Sequence, residues 1–278
     1  MPRGYMLLLF IASLVAGVAN ATYLSVQGPV SNTLHNGGSI YLGKVAPGES
    51  FYVMAGSGTT NATGTYTYPG WDKLEAVSHP AGWSTQPSPL YENPMKMKVT
   101  VSPNAPIGIY NLTLRAVNVG NYSKLGNLTF IAYVNVTPDV FSTTIGPTQL
   151  SAGPGQPTNV RISINNTGIS DDPFVITAHG LPAWNVSDIV IAQHAAVTDF
   201  TYPVYVDEPG RYSFNITVAS TTSNEVSSTY PMMLKVNSNL LNDYSAIGQG
   251  VIISPVILEP AYAFMLLLSY LYNIATGQ

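Results

Sequence analysis

The sequence predicts an all-β chain organised as two tandem sandwiches with a hydrophobic, helical tail, and three observations carry that prediction. The chain repeats itself at an offset of about one hundred residues. Its apolar residues alternate with period two in short runs such as Met97-Lys98-Val99-Thr100-Val101 and Tyr212-Ser213-Phe214-Asn215-Ile216-Thr217-Val218. Between the N-terminal segment and residue 237 no sustained 3.6-residue apolar stripe occurs, and Gly, Pro, Asn and Ser separate the runs at the spacing of sandwich strands.

Residues 1–21 read as a signal peptide. Arg3 supplies the positive charge, Met6 to Ala19 the apolar stretch, and Ala19-Asn20-Ala21 a small-x-small cleavage site before Thr22. An uncleaved signal anchor is the alternative, and in either case the body of the chain is expected outside the cytoplasm.

Residues 22–138 and 139–237 form the two copies. Ala46-Pro47-Gly48-Glu49 before an apolar run corresponds to Gly153-Pro154-Gly155-Gln156. Pro80-Ala81-Gly82-Trp83-Ser84 corresponds to Leu181-Pro182-Ala183-Trp184-Asn185, and Gly108-Ile109-Tyr110 to Gly210-Arg211-Tyr212. The Trp-to-Tyr spacing is 27 residues in the first copy and 28 in the second. Units of this size are whole domains, each able to bury its own core. The recurrence of Trp83 with Trp184 and of Tyr110 with Tyr212 marks all four as structural, with each tyrosine expected to be buried and its hydroxyl bonded to nearby backbone. Near Pro138-Asp139 a strand runs out and Ile145-Gly146-Pro147 opens the second copy.

Cysteine is absent, which excludes a disulfide framework in an exported chain. Charged residues make up 9% of the chain, against about 25% in a typical domain. Eight Asn-x-Ser/Thr sequons, at Asn61, Asn111, Asn121, Asn127, Asn135, Asn165, Asn185 and Asn215, supply candidate glycosylation sites that would solubilise such a surface. The net charge of −4 and ten scattered Lys and Arg argue against nucleic acid as a partner, because phosphate binding requires a clustered basic footprint.

The run Pro-Gly-Glu/Gln, an apolar strand, Asn165-Asn166-Thr167-Gly168, Gly180-Leu181-Pro182-Ala183-Trp184 and Gly210-x-Tyr212 resembles the Ig-like β-sandwich modules of archaeal and bacterial surface proteins. The type it is most similar to is associated with NPCBM carbohydrate-binding modules of glycosidases. The resemblance covers about residues 146–236 well and about 40–136 loosely. It implies the fold and is nearly silent on function. The first copy departs from it by inserting Tyr66 to Lys73 and lacking the Asn-Thr-Gly turn. The Gly-x-Tyr element resembles the tyrosine corner of Ig folds, with Leu112 and Phe214 standing where antibody domains carry cysteine.

Residues 238–250 are a polar linker and 251–278 a hydrophobic tail. Val251 to Tyr272 is long enough to cross a bilayer, but Pro255, Glu259 and Pro260 interrupt it and no Lys or Arg follows. The tail is expected to anchor in the membrane or to dock on another subunit, with Glu259 as its contact to a partner.

Chemistry is sparse. His35, His79, His179 and His194 stand singly and make no zinc spacing, no Gly-x-Ser-x-Gly elbow occurs, and a thiol nucleophile is excluded. Asp171-Asp172 and Asp207-Glu208 each precede a proline and read as turn acids, with calcium binding and acid–base catalysis as alternatives for paired carboxylates. Trp71, with Tyr66 and Tyr68 in the inserted loop, is the candidate binding surface, since aromatic faces suit sugars and recognition concentrates on loops.

The sequence therefore predicts a non-enzymatic, glycosylated, membrane-associated surface protein without a cofactor, whose partners are other surface or membrane subunits. Two alternatives accompany it. One is a carbohydrate-binding accessory module. The other is a filament subunit in which Thr22-Tyr23-Leu24-Ser25-Val26 completes a neighbour's sheet by strand addition.

Overall fold

A computed structural model describes residues 23–60, 66–67, 70–120, 125–182 and 186–237. The expectations for the signal segment, Asn61, Tyr68, Asn121, Trp184, Asn185 and the tail with Glu259 fall outside these residues. Among the described residues every regular element is a strand. The protein is all-β and its sheets make Ig-like sandwiches.

Among the described residues, the first unit comprises those within 23–43, 50–102 and 108–135, and the second those within 44–49, 103–107 and 136–237. In the first, β1 (Tyr23–Gly28), β2 (Asn32–Leu34), β3 (Ser39–Val45), β4 (Ser50–Thr60) and β5 (Tyr66–Thr67) are followed by β6 (Lys73–Ser78), β7 (Ser84–Gln86), β8 (Met95–Thr100), β9 (Gly108–Val117) and β10 (Leu128–Val136). One sheet has the order β2-β1-β4-β8-β7 with β5 also on β4, and the other the order β3-β10-β9-β6.

Period-two patterning decides what these strands bury. In β10, Leu128, Phe130, Ala132, Val134 and Val136 point inward, and Met95, Met97 and Val99 do the same in β8. Leu24, Val26, Leu42, Phe51, Val53, Leu74, Leu112 and Leu114 are likewise essentially inaccessible. Each large side chain buried in this way is worth about 1.5–3 kcal/mol, which lets the sandwich stand without disulfides. The segment read as a free donor strand is corrected here. Tyr23–Gly28 pairs with β2 and β4 of its own sheet, because Leu24 and Val26 fill the core beneath it.

The second unit continues with β11 (Phe141–Gly146), β12 (Gln149–Ala152), β13 (Thr158–Asn166), β14 (Asp172–His179), β15 (Ser187–Ala192), β16 (Ala196–Val204), β17 (Gly210–Ser220) and β18 (Ser227–Val236). Its sheets run β11-β13-β16 and β12-β18-β17-β14-β15, with β12 parallel to β18. Val160, Ile162 and Ile164 of one sheet pack with Phe174, Ile176, Phe214, Ile216, Val218 and Leu234 of the other. Phe141 and Phe174 lie 4.9 Å apart by ring centroids. Leu112 and Phe214 are buried in their respective cores, supplying apolar volume where a disulfide-bearing relative of this fold has sulfur.

Candidate functional site

The repeated Pro-Gly segments are turns of one design. Glu49 N–H donates to Ala46 O (3.2 Å) and Gln156 N–H to Gly153 O (3.1 Å), with Gly48 and Gly155 at φ 87° and 67°. Proline before a positive-φ glycine is the signature of a type II turn. Each turn is tied a second time by its last side chain. Ala46 N–H donates to Glu49 Oε2 (3.0 Å), and Gly153 N–H donates to Gln156 Oε1 (3.2 Å).

The environments of the two side chains differ. Glu49 is only 1% exposed, and Asp172 beside it is 2% exposed. Asp172 Oδ1 accepts from Ser220 Oγ (2.9 Å) and Thr222 Oγ1 (2.7 Å). Among the described residues, Glu49 Oε1 and Asp172 Oδ2 are fully buried and accept no hydrogen bond from any N–H or hydroxyl. Burial, opposed by the Ala46 N–H and reinforced by the Asp172 charge, pushes the Glu49 carboxyl up to about 7. Burial also raises Asp172, against the lowering effect of the Ser220 and Thr222 hydroxyls. Sequence reasoning passed over Glu49. Its available signal was the repeat itself, which sets an ionisable Glu where the second copy has the neutral Gln156.

The other acids have ordinary roles. Asp171 accepts from the backbone N–H of His194 (2.8 Å) and lies 2.6 Å from its ring Nδ1. Burial works to raise its carboxyl, but these His194 interactions outweigh it and the pKa is lowered. Asp171, just before β14, and Asp172, its first residue, thus have different partners and do not act as a pair. His79 bonds Pro80 O and His179 bonds Thr177 Oγ1. Among the described residues no group of three His, Cys, Asp or Glu side chains is assembled to hold a metal ion.

Trp71, expected with Tyr66 and Tyr68 as a binding surface, is only 2% exposed. Gly70 lies so close to β4 that a Cβ there would sit 1.9 Å from Ser57 O, and Trp71 N–H donates to that same carbonyl (2.7 Å). Residues 70–71 are pressed onto the sheet, and the Trp71 indole is buried with its N–H donating to Gly126 O (3.2 Å). Of the other two members of that surface, Tyr66 is placed in β5 by its backbone and Tyr68 lies outside the described residues.

Trp83 is buried and its ring centroid lies 5.5 Å from that of Tyr110, which is half-buried. Tyr212 is also half-buried, and its hydroxyl donates to Glu208 O (3.0 Å), four residues upstream. Full burial of both tyrosines was expected. Each is the third residue of its strand, and the buried positions begin only two residues later, at Leu112 and Phe214. Of the described sequons, Asn111, Asn127, Asn165 and Asn215 are exposed and Asn135 is half-buried. Asn127 Oδ1 accepts from Asn118 N–H (3.2 Å), so its amide is engaged in the loop. Asn166, next to the exposed Asn165, points inward, donates to Ser170 O and Ala192 O, and accepts from Gly168 N–H.

No protein-family model matches the chain, and no curated protein matches it. Among solved structures it is similar to the human CEP192 ASH/PapD-like domain (TM-score 0.29, 8% identity, 37% of this chain and 89% of that one). A Listeria innocua β-glucosidase matches at TM-score 0.26 and 16% identity, over 36% of this chain and only 16% of the enzyme. The D00-D0 domain of intimin matches at TM-score 0.24 and 12% identity, over 76% of this chain and 98% of that one. At these TM-scores the likenesses carry no argument about function.

Proposed function

We propose that this chain is an exported, non-enzymatic protein of an archaeal or bacterial cell surface, glycosylated at exposed asparagines and held at the membrane through residues 251–278. Its two Ig-like units make protein contacts as an accessory subunit of a surface complex.

The observation that carries this reading is strand β15. It is the outermost strand of its sheet, and its outer face shows Ile189 and Ile191, 68% and 64% exposed. Val175 and Pro173 lie opposite them on β14, which extends the apolar strip inward from the edge. An unpaired edge with exposed β-branched residues favours contact with another chain. The exposed sequons Asn111, Asn165 and Asn215 support a solvated, glycosylated exterior elsewhere.

The test is purification of the full chain from native membranes in mild detergent. A stoichiometric surface or membrane partner is expected to co-purify with the wild type and to be lost from the Ile189→Thr, Ile191→Thr double variant. Equal retention by both proteins overturns the reading.

A carbohydrate-binding module, of the kind associated with NPCBM domains, is the second reading. It is favoured by an open cavity of about 280 Å³ lined by His79, Tyr110, Asn111 and Tyr133. Binding on a glycan array that disappears with Tyr133→Ala would establish it in place of the first.

A further inference from the structure

We propose that Glu49 and Asp172 share a single proton, forming a carboxylic acid–carboxylate couple that holds the 46–49 turn against the 220–222 turn in acid and releases it as the pH rises.

The geometry leads to this in three steps. Both carboxyls are almost completely removed from water, and each retains one buried oxygen that no N–H or hydroxyl of the described residues satisfies. Two ionised carboxylates so placed would repel in a medium that screens poorly, and each would lack part of its solvation. One proton placed between them turns the repulsion into an O–H···O⁻ hydrogen bond, which is short and strong, and it satisfies the orphaned oxygens.

No neighbouring cation substitutes for that proton. Among the described residues the one charged group that acts on Glu49 is Asp172, and the one that acts on Asp172 is Glu49. Lys44, near the end of β3 just before the 46–49 turn, is engaged with Asp139 at 2.9 Å. His194 is engaged with Asp171, Glu225 of the 220–226 turn is exposed, and residues 103–107 contribute no titratable side chain. The hydroxyls of Ser220 and Thr222 already donate to the other oxygen of Asp172. They orient the carboxyl and leave Oδ2 free for the shared proton.

The turn is sensitive to what happens at this pair. Gly48 lies so close to the opposing turn that a Cβ on it would stand 2.5 Å from Thr222 O. Two backbones at this separation cannot accommodate a swollen, doubly charged pair and must part. The second copy of the turn supplies the natural control: Gln156 makes the same backbone contact with a group that cannot ionise.

The experiment follows unfolding of the full chain in mild detergent from about pH 4.5 to about pH 8, for the wild type, Glu49→Gln and Asp172→Asn. The wild-type unfolding constant of the second unit is expected to rise at least about tenfold across that range, and in Glu49→Gln to change less than about twofold. A flat wild-type profile, or an unaltered slope in Glu49→Gln, overturns the proposal. Addition of calcium at about pH 8 is a further arm. Stabilisation of the wild type that is lost in Glu49→Gln would show a cation in place of the proton and also overturn it. Should the variants fail to fold, carboxyl infrared titration of the wild type decides: a protonated carboxyl persisting at about pH 6 supports the couple, and its absence overturns it.

Discussion

In the turn at 46–49 the Glu49 carboxylate accepts from Ala46 N–H at 3.0 Å, and in the turn at 153–156 the Gln156 amide oxygen accepts from Gly153 N–H at 3.2 Å. The two turns share sequence pattern, backbone geometry and side-chain tie. They differ in what surrounds the last residue: Glu49 is buried against Asp172, whereas Gln156 is half-buried. A repeated local structure therefore does not repeat its chemistry. The turn residues dictate the loop, and the packing decides whether the tying side chain is a mere cap or a titrating group.

The largest expected effect comes from breaking the turns themselves. Gly48→Ala puts a Cβ at a positive φ and 2.5 Å from Thr222 O, and should cost about 3 kcal/mol. Gly155→Ala, at φ 67° in the ordinary left-handed region, should cost about 1 kcal/mol. Denaturant midpoints of the two variants check the difference, and equal losses would mean the turns are energetically alike after all.

Removing the Tyr212 hydroxyl should have a smaller effect. Tyr212→Phe deletes the bond to Glu208 O at a half-buried site that water can partly reach, so about 0.5–1.5 kcal/mol is expected. Tyr110→Phe leaves the ring contact with Trp83 in place. A double comparison by thermal unfolding sharpens whether the Gly-x-Tyr element is a shared corner or a shared sequence with two uses; a loss above about 3 kcal/mol for Tyr212→Phe would point to a deeper role than the hydrogen bond gives it.

The all-β fold was legible because its signals are local. Alternation in Leu128–Val136 and Gly210–Ser220 directly specifies which side chains face the core, and Pro-Gly pairs directly specify turns. What was not legible depended on distance in sequence. The position of Trp71 in an insertion suggests a binding surface, yet the close approach of Gly70 to Ser57 holds residues 70–71 against the sheet. Asp172 pairs in sequence with Asp171, but β14 begins at Asp172, and Asp171 just before it turns to His194. The actual companion of Asp172, Glu49, is more than a hundred residues away. No periodicity carries that information, since it arises only when two turns are packed together.

The smallest expected effect concerns an acid of opposite character. Glu75 on β6 accepts from Lys73 Nζ at 2.8 Å and from the Arg115 guanidinium across the strand pair, and these two bonds, Lys73 first, lower its pKa. The sign of its contribution is therefore the reverse of that of Glu49. A lowered carboxyl stabilises the folded state above its unfolded pKa and loses that contribution as the pH falls through the folded value. Glu49, raised from 4.5 to about 7, contributes fully below about 4.5 and loses its contribution as the pH climbs toward 7. At about 1.4 kcal/mol per unit, that shift bounds the Glu49 effect at about 3 kcal/mol. Glu75 is half-buried at the surface, and its two ion pairs should be worth a few tenths to about 1 kcal/mol and weaken with salt. Glu75→Gln should thus lower the stability of the first unit slightly at neutral pH, leave it unchanged in strong acid, and lose its effect in high salt. Unfolding measured at two pH values and two salt concentrations separates the cases. A Glu75→Gln loss that grows toward acid would contradict the ion-pair assignment and remove the contrast between the two acids.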